Sequence, residues 1–367
     1  MRIIHVTDTS IYNYDGISTY INELLECSEK RGDQQLVLTT IPHNTNLKRK
    51  VIHKVPVYTF PHIPVLSSRK FKFAVPRKMG KVIDEFNPDL IWIHTIGPLG
   101  VFAARKAKNN YPVIYTKHCF DGDLWCNHLK IPKSLHQIIK SAAYFIENSV
   151  INPADKIIYH FNENAQIKLH KFSEKFKQLP PPLNKKFVKD SEIRKINKNY
   201  FALGFCGRCD PEKGIEDIFK SIDLFTKKHP FARIRLLLIG DGKVVDELKA
   251  RYPDVEVSVT GFVDDVIPYL DQLDAFVLAS STETTSLSSL EAYARGLNIF
   301  TRPVGYLGEN AELYDKVYTF NTPEELCALI ENKLNHDIYV APKTNLGLNK
   351  SIITFSDLYA AVTSEYA

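Results

Sequence analysis

No stretch of this 367-residue sequence reaches the roughly 18 uninterrupted apolar residues that a membrane span needs. The apolar run Ile3–Val6 is broken at once by Asp8, so the signature of a secretory leader is missing and a cytoplasmic location is expected. Six cysteines in this length are too few for a disulfide scaffold. Neither a short internal repeat nor a low-complexity tract is present, which sets aside solenoids and linker-like chains. What is there is ordinary for a globular protein: 44% hydrophobic and 24% charged residues, over a length sufficient for two separate cores.

Charge is unevenly spread. Residues 1–190 contain 28 Lys/Arg against 16 Asp/Glu, and residues 191–367 contain 19 against 26. The basic residues concentrate in SSRKFKFAVPRKMGK, where Arg69, Lys70, Lys72, Arg77, Lys78 and Lys81 are interleaved with Phe71, Phe73 and Val75. Such a stretch can lie on an anionic membrane surface. It is equally the composition of a solvated helix face, and nucleic acid is a third candidate. The acidic second half argues against a basic groove shared by both halves, and no nucleic-acid partner is expected.

Short apolar, β-rich runs recur with helical patterns between them, the pattern of doubly wound parallel α/β sheets. The first series is RIIHV (2–6), QLVLTT (35–40), VPVYTF (55–60), DLIWIH (89–94), PVIYTKH (112–118) and KIIYHF (156–161). A segment with three prolines and then polar, charged residues (178–200) reads as a linker. The second series is YFALGFCG (200–207), RIRLLLIG (233–240), VEVSVTG (255–261), DAFVLAS (274–280), LNIFTR (297–302) and KVYTF (316–320). The expected organisation is a first domain over 1–182, a second over 183–350, and a terminal segment over 351–367. In that last segment Phe355, Leu358, Tyr359, Val362 and Tyr366 are spaced as one face of a helix. Ligands of open α/β sheets bind beyond the carboxyl ends of the strands.

Two segments of the second half carry candidate chemistry. SSTETTSLSSLEAYARG (280–296) follows an apolar run and places Glu283 in a loop and Glu291 inside a helix starting near Ser286. A loop that aims amides and a helix N-terminus above a sheet is an anion site, and two carboxylates around that anion fit a nucleotide sugar. The same Ser and Glu residues are also ordinary capping chemistry. GFCGRCDPEKGIEDIFKSI (204–222) places Arg208 and Lys213 on one loop between strand and helix, a pairing that suits a diphosphate. A basic surface loop is the alternative there. The turn at Gly240, Asp241 and Gly242 is a weak signal alone. The C-x-x-C of Cys206 and Cys209 admits a redox or metal reading, but no second pair stands at zinc-ligand spacing.

Taken in order, GRCDPEKG (207–214), LLIGDG (237–242), VTGFV (259–263) and ETTSLSSLEAYARG (283–296) resemble the motif series of the retaining glycosyltransferases of family 4. In the first half, YDGISTYINELLECSEKRGDQQLVLTT resembles that family's glycine-containing first loop and helix. DLIWIHTIGPLG and PVIYTKHCFDGDLW resemble segments of its members that glycosylate membrane lipids. The resemblance implies the GT-B fold: two Rossmann-like domains facing a central cleft, with a C-terminal helix crossing back to the N-terminal domain. It implies that Arg208 and Lys213 hold the donor diphosphate, that the backbone of Ser286 and Leu287 adds donors, and that Glu291 takes the ribose hydroxyls. Glu283 then faces the donor sugar, His118 lines the sugar pocket, and Gly16 lets the first loop approach the diphosphate. Gly240 and Val263 complete the donor side, with Val263 or its neighbour bounding the base pocket.

Departures from the family pattern are Asp15-Gly16 in place of two glycines, Thr285-Ser286 in place of Phe-Gly, VGYLGEN after Pro303, and PPPL in the linker. None removes a charged group. The resulting expectation is a hexosyltransferase needing neither metal nor cofactor, moving sugar from a UDP-sugar to a lipid or lipid-linked acceptor. It would sit peripherally on an anionic membrane at the inner face, with Arg69, Lys70, Lys72, Arg77 and Lys78 meeting the acceptor or the membrane. A polysaccharide or lipopolysaccharide assembly enzyme is the alternative within the class. A catalytically silent nucleotide-sugar-binding partner subunit is the alternative from another class.

Overall fold

The computed structural model describes residues 1–13, 15–41, 54–64, 72–118, 122, 126, 132–161, 173–188, 199–335 and 352–366. Two compact units emerge, Met1–Pro180 with Phe355–Ala367, and Pro181–Thr354.

The first unit holds strands β1 (Arg2–Val6), β2 (Gln34–Thr40), β3 (Val57–Phe60), β4 (His62–Pro64), β5 (Lys72–Ala74), β6 (Leu90–Ile93), β7 (Val113–Lys117), β8 (Lys156–Tyr159) and β9 (Phe176–Gln178). Its helices are α1 (Gly16–Arg31), α2 (Met79–Phe86), α3 (Pro98–Ala107) and α4 (His136–Ile151). Seven strands form one parallel sheet in the order β3-β2-β1-β6-β7-β8-β9. Strand order therefore reverses between β1 and β6, the place where doubly wound sheets open a crevice.

Side chains alternate between the two faces. Ile4, Val6, Ile91, Ile93, Val113, Tyr115 and Ile157 pack against α2, α3 and α4. The helix α1 starts where Asp15 accepts from Ser18 N at 2.8 Å, and it stops at Gly32 with φ 79°, a position that favours glycine. The basic stretch is not one helix. Its Lys72–Ala74 portion pairs antiparallel with β4, and helix begins only at Met79.

The second unit holds β10 (Pro182–Leu183), β11 (Phe201–Cys206), β12 (Ile234–Ile239), β13 (Val257–Val259), β14 (Ala275–Leu278), β15 (Asn298–Thr301), β16 (Val317–Thr319) and β17 (Ile353–Thr354). Its helices are α5 (Ile215–Lys228), α6 (Val244–Arg251), α7 (Ile267–Leu270), α8 (Leu287–Ala294), α9 (Gly305–Glu309) and α10 (Pro323–Asn335). Six strands make a parallel sheet in the order β13-β12-β11-β14-β15-β16. One face packs on α5, α6 and α10 through Phe219, Phe225, Leu248 and Ile330, the other on α7 and α8 through Leu270 and Leu290. This switch point lies between β11 and β14.

The last helix, α11 (Phe355–Thr363), belongs to the first unit. It lies against α1, burying Phe355, Leu358, Tyr359 and Val362, and Tyr359 donates to Asp33 at 2.8 Å. The helix crossing back to the N-terminal domain is thus present.

Candidate functional site

In the second unit, the loops after β11 and β14 meet at the switch point. Gly214 has φ 67°, and a Cβ there would lie 2.1 Å from the carbonyl oxygen of Ala279, so only glycine lets the two loops approach. Ser281 N–H donates to the Glu212 carbonyl at 3.2 Å. Across the same junction, Lys213 Nζ meets Glu283 Oε1 at 2.6 Å. That bond joins the cationic loop to the carboxylate loop.

Arg208 pairs within its own loop, 2.6 Å from Asp210 and 3.8 Å from Glu212. Both cations therefore face carboxylates, and both keep partial solvent contact. Such half-exposed pairs are worth at most about 1 kcal/mol. A diphosphate, offering several anionic oxygens to a guanidinium fork, is a stronger partner than either carboxylate.

The glycine turn supports this loop from behind. A Cβ on Gly240 (φ 139°) would lie 2.0 Å from the Gly207 carbonyl oxygen, and one on Gly242 would lie 2.0 Å from that of Cys209. Gly240 is thereby explained by packing of protein on protein. Helix α8 begins after Ser286, which adopts the left-handed conformation at φ 53° with no side-chain cap. The capping alternative for Ser286 therefore fails, and the first amides of α8 open at the loop that carries Glu283. Gly305, which sequence reasoning passed over, stands against this turn: its Cβ would lie 3.2 Å from Glu283 Cβ and 3.5 Å from Ser286 Cβ.

Glu291 lies one turn inside α8, and its charge is felt by Cys206 at the end of β11. Val263 and Leu287 pack against one apolar cluster with Ile239 and Leu278. The C-x-x-C pair is made of free thiols. Burial pushes the Cys206 thiol well up and the Cys209 thiol to about 12, which disfavours the thiolate that redox chemistry needs.

In the first unit, His118 immediately follows β7 and is half-buried. It is not isolated. Nδ1 of His94 lies 3.4 Å from its Nε2, and Nδ1 of His5 lies 3.2 Å from Nε2 of His94. Tyr20 of α1 packs edge-on against the His118 ring at 4.7 Å and reaches His160 Nε2 at 2.8 Å. Burial lowers all four histidines, His5 and His118 to about 3 and His160 to about 4, with His94 well below its ordinary value. His118 is thus a neutral ring at any physiological pH.

Asp15 is engaged by the chain itself, accepting from both N and Oγ of Ser18. At Gly16 a Cβ would find no atom of the described residues within 4 Å, so no described contact demands glycine there. Asp8, just after β1, accepts from Leu99 N, Gly100 N and Thr95 Oγ1 at 2.9, 3.3 and 2.9 Å, and so caps α3 from a distance. Burial raises its carboxyl to about 6 against those hydrogen bonds.

Of the basic stretch, Arg69 and Lys70 lie outside the described residues, and of Lys72 only the backbone in β5 is described. Arg77 and Lys78 are exposed. A different apolar surface stands out: Leu135, Ile138, Ala142 and Phe145 recur at spacings of three, four and three along α4 and the turn before it. Ile138 is 64% and Phe145 76% exposed. The opposite face of α4 is held by Val150, Ile151 and a buried ion pair from Glu147 to Lys117 of β7. No acidic residue occurs from Pro132 to Ile146, while Lys133 and Lys140 do. No helix among the described residues is long and apolar enough to cross a membrane.

Comparison with known proteins gives a consistent picture. The family described as Glycosyltransferase Family 4 matches residues 14–167, and that described as Glycosyl transferases group 1 matches residues 201–336. The alpha-monoglucosyldiacylglycerol synthase of Acholeplasma laidlawii is 27% identical over 378 residues, an alignment covering 92% of this chain and 89% of the relative. The enzyme of the same name from Streptococcus pneumoniae is 24% identical over 341 residues, covering 87% and 74%. Among solved structures, the sucrose-phosphate synthase of Thermosynechococcus elongatus superposes with a TM-score of 0.75 at 15% identity, over 100% of this chain and 98% of the other. The Anabaena protein HepE, solved with UDP and glucose, gives 0.67 at 18% identity, over 100% and 95%.

Proposed function

We propose, starting from a chain that belongs to the group 1, family 4 glycosyltransferases, that it transfers a hexose from a UDP-sugar to a lipid acceptor at an anionic membrane surface. The protein is a retaining glycosyltransferase of GT-B fold, and the open points are which residues do which work, on which acceptor. The observation that carries the reading is the Lys213–Glu283 pair at 2.6 Å, which sets a cation and a carboxylate side by side at the switch point.

Breaking a sugar–phosphate bond builds negative charge on the leaving diphosphate and positive charge at the anomeric carbon. Arg208, Lys213 and the amides of Ser286 and Leu287 answer the first, being placed before reaction begins. Glu283, partly exposed and tied to Lys213, faces the sugar and the developing positive charge. Glu291 takes the ribose hydroxyls, with Val263 beside the base. His118 offers a neutral ring to the sugar. Gly16 leaves room for the diphosphate, since no contact among the described residues accounts for a missing side chain there. Two cations and several amides take the part of a metal ion, so turnover needs none.

The acceptor reading rests on the diacylglycerol-linked relatives and on the α4 stripe. A helix with an exposed apolar face, two lysines and no carboxylate over its outer half fits the interface of an anionic bilayer. The protein then works peripherally at the cytoplasmic face. The test is nucleoside diphosphate release by purified protein with UDP- and GDP-sugars, with and without anionic vesicles containing diacylglycerol. Release from a UDP-sugar that depends on the vesicles is the expected result. Release independent of lipid would replace the lipid with a soluble or polymeric acceptor, and binding without turnover would make the chain a silent partner.

A further inference from the structure

Strands β1, β6, β7 and β8 lie side by side, and each presents one histidine on the same sheet face. His5 stands opposite Trp92 in the parallel register; His94 follows Trp92 by two, while His118 and His160 follow Thr116 and Ile158, which are also register partners. The rings of His5, His94 and His118 are nearly coplanar, tilted by 20° and 24° with centroids 5.5 and 5.6 Å apart. That spacing is too wide for rings in face-to-face contact. It is the spacing of imidazoles joined edge to edge, nitrogen to nitrogen, as the 3.2 and 3.4 Å distances require.

A neutral imidazole has one N–H and one lone pair, so three rings linked twice have only two consistent states. In one, each Nδ1–H donates to the next Nε2, ending with Nδ1–H on His118. In the other every bond is reversed, and His5 carries its proton on Nε2. That atom is buried without a hydrogen-bond partner among the described residues. A buried orphan N–H is rarer and less favourable than a bare lone pair, so the first state is selected. The far end of the row dictates the near end.

We propose that His94, backed by His5, is a positioning residue that fixes His118 as the neutral Nδ1–H tautomer, so that His118 serves as a hydrogen-bond donor to a substrate oxygen. This rests on the placement of His118 in the sugar pocket under the proposed function. Neighbouring His160 supplies an internal standard. Its Nδ1 lies 3.1 Å from the Leu179 carbonyl oxygen, which only accepts, so its proton is on Nδ1 and its Nε2 receives the Tyr20 hydroxyl.

The test is long-range 1H–15N correlation NMR of 15N-histidine-labelled full-length protein near pH 7.5, which reports the tautomer of each ring. His118 is expected to show the same Nδ1–H pattern as His160. In His94→Phe the His118 pattern should shift toward the Nε2–H form while His160 stays unchanged. In His94→Asn, whose amide N–H replaces the lost donor, His118 should keep the wild-type pattern. An Nε2–H pattern for His118 in the wild-type protein overturns the proposal, whether or not any variant folds; so does an unchanged His118 pattern in a folded His94→Phe. The tautomer is read without substrate. Wild-type turnover by His118→Ala would instead remove His118 from the sugar pocket and leave the tautomer result standing.

Discussion

The two units share a strand order and a switch point but furnish them oppositely. The second unit puts charges there: Arg208 and Lys213, each against carboxylates and each partly open to water. The first puts neutral rings there, with His5 and His94 fully buried. A site that binds a diphosphate needs charge ready to exchange partners. One that lines a sugar needs directional donors without charge. On the proposed function the same architecture would serve both, with the loops and strand ends, not the sheet, carrying the chemistry.

The contrast is sharpest under acid. His5, His94, His118 and His160 are all held neutral well below the ordinary imidazole value, His5 and His118 to about 3 and His160 to about 4, whereas the unfolded chain protonates each near 6.5. Unfolded protein binds more protons below that value, so stability falls as pH falls from about 6.5 toward 4. Each histidine contributes up to about 1.4 kcal/mol per pH unit in that window. Asp8 opposes them: with its carboxyl raised to about 6, it favours the folded state as pH drops from 6 toward its ordinary value. Four against one leaves a net loss of stability. Both tryptophans, Trp92 and Trp125, fall within residues 1–180, so tryptophan fluorescence reports the first unit alone. It should show unfolding between pH 6 and 4, and an unperturbed signal at pH 4 would break the comparison.

Charge removal in the second unit should act on turnover and not on folding. Lys213→Ala and Arg208→Ala are each expected to lower turnover by about 10²–10³-fold, the scale of losing one donor to a developing anion. Their far-UV circular dichroism should match the parent. Near-parental rates would dissolve the diphosphate assignment.

Two glycines separate fold from function on a smaller scale. Gly214→Ala forces a Cβ into the Ala279 carbonyl and should cost at least about 1–3 kcal/mol of stability. Gly16→Ala meets no atom of the described residues and should leave the denaturation midpoint within about 0.5 kcal/mol of the parent. Its loss should appear instead as a raised KM for the donor. A Gly16→Ala protein with parental KM would return that glycine to chance.

Smaller still, Ile138→Ser with Phe145→Ser should weaken sedimentation with anionic vesicles by about tenfold or more, since each apolar side chain is worth about 1.5–3 kcal/mol when fully buried. Both are exposed, so thermal stability should hold. Unchanged sedimentation would free α4 from the membrane. Chelator should change nothing, and a strict divalent-metal requirement would contradict the assigned roles of Arg208 and Lys213.

The twelve apolar runs of the sequence all became parallel strands, because buried parallel strands are written as continuous apolar residues. The strand Phe176–Gln178 escaped notice because FKQ lacks that mark and pairs only at the sheet edge. Lys213 and Glu283 were legible as types at motif spacing, but their bond joins positions 70 apart and belongs to the fold. The histidine row had a signal: LIWIH, VIYTKH and IIYH each end an apolar run on histidine. Only register shows that those ends are neighbours. Gly305 had none, since its contact with Glu283 comes from loop packing alone.

The return of α11 to the first unit also sets an order of assembly during synthesis. Phe355 packs on Tyr20 at 5.3 Å, and Tyr359 lies 6.3 Å from Trp92, so this helix closes the face that holds the histidines. Every residue of the second unit is translated before it. The sheet face that holds the histidines therefore stays uncovered until the segment after residue 354 has emerged. A nascent chain halted anywhere before Phe355 would therefore carry a first unit with that apolar face open to water.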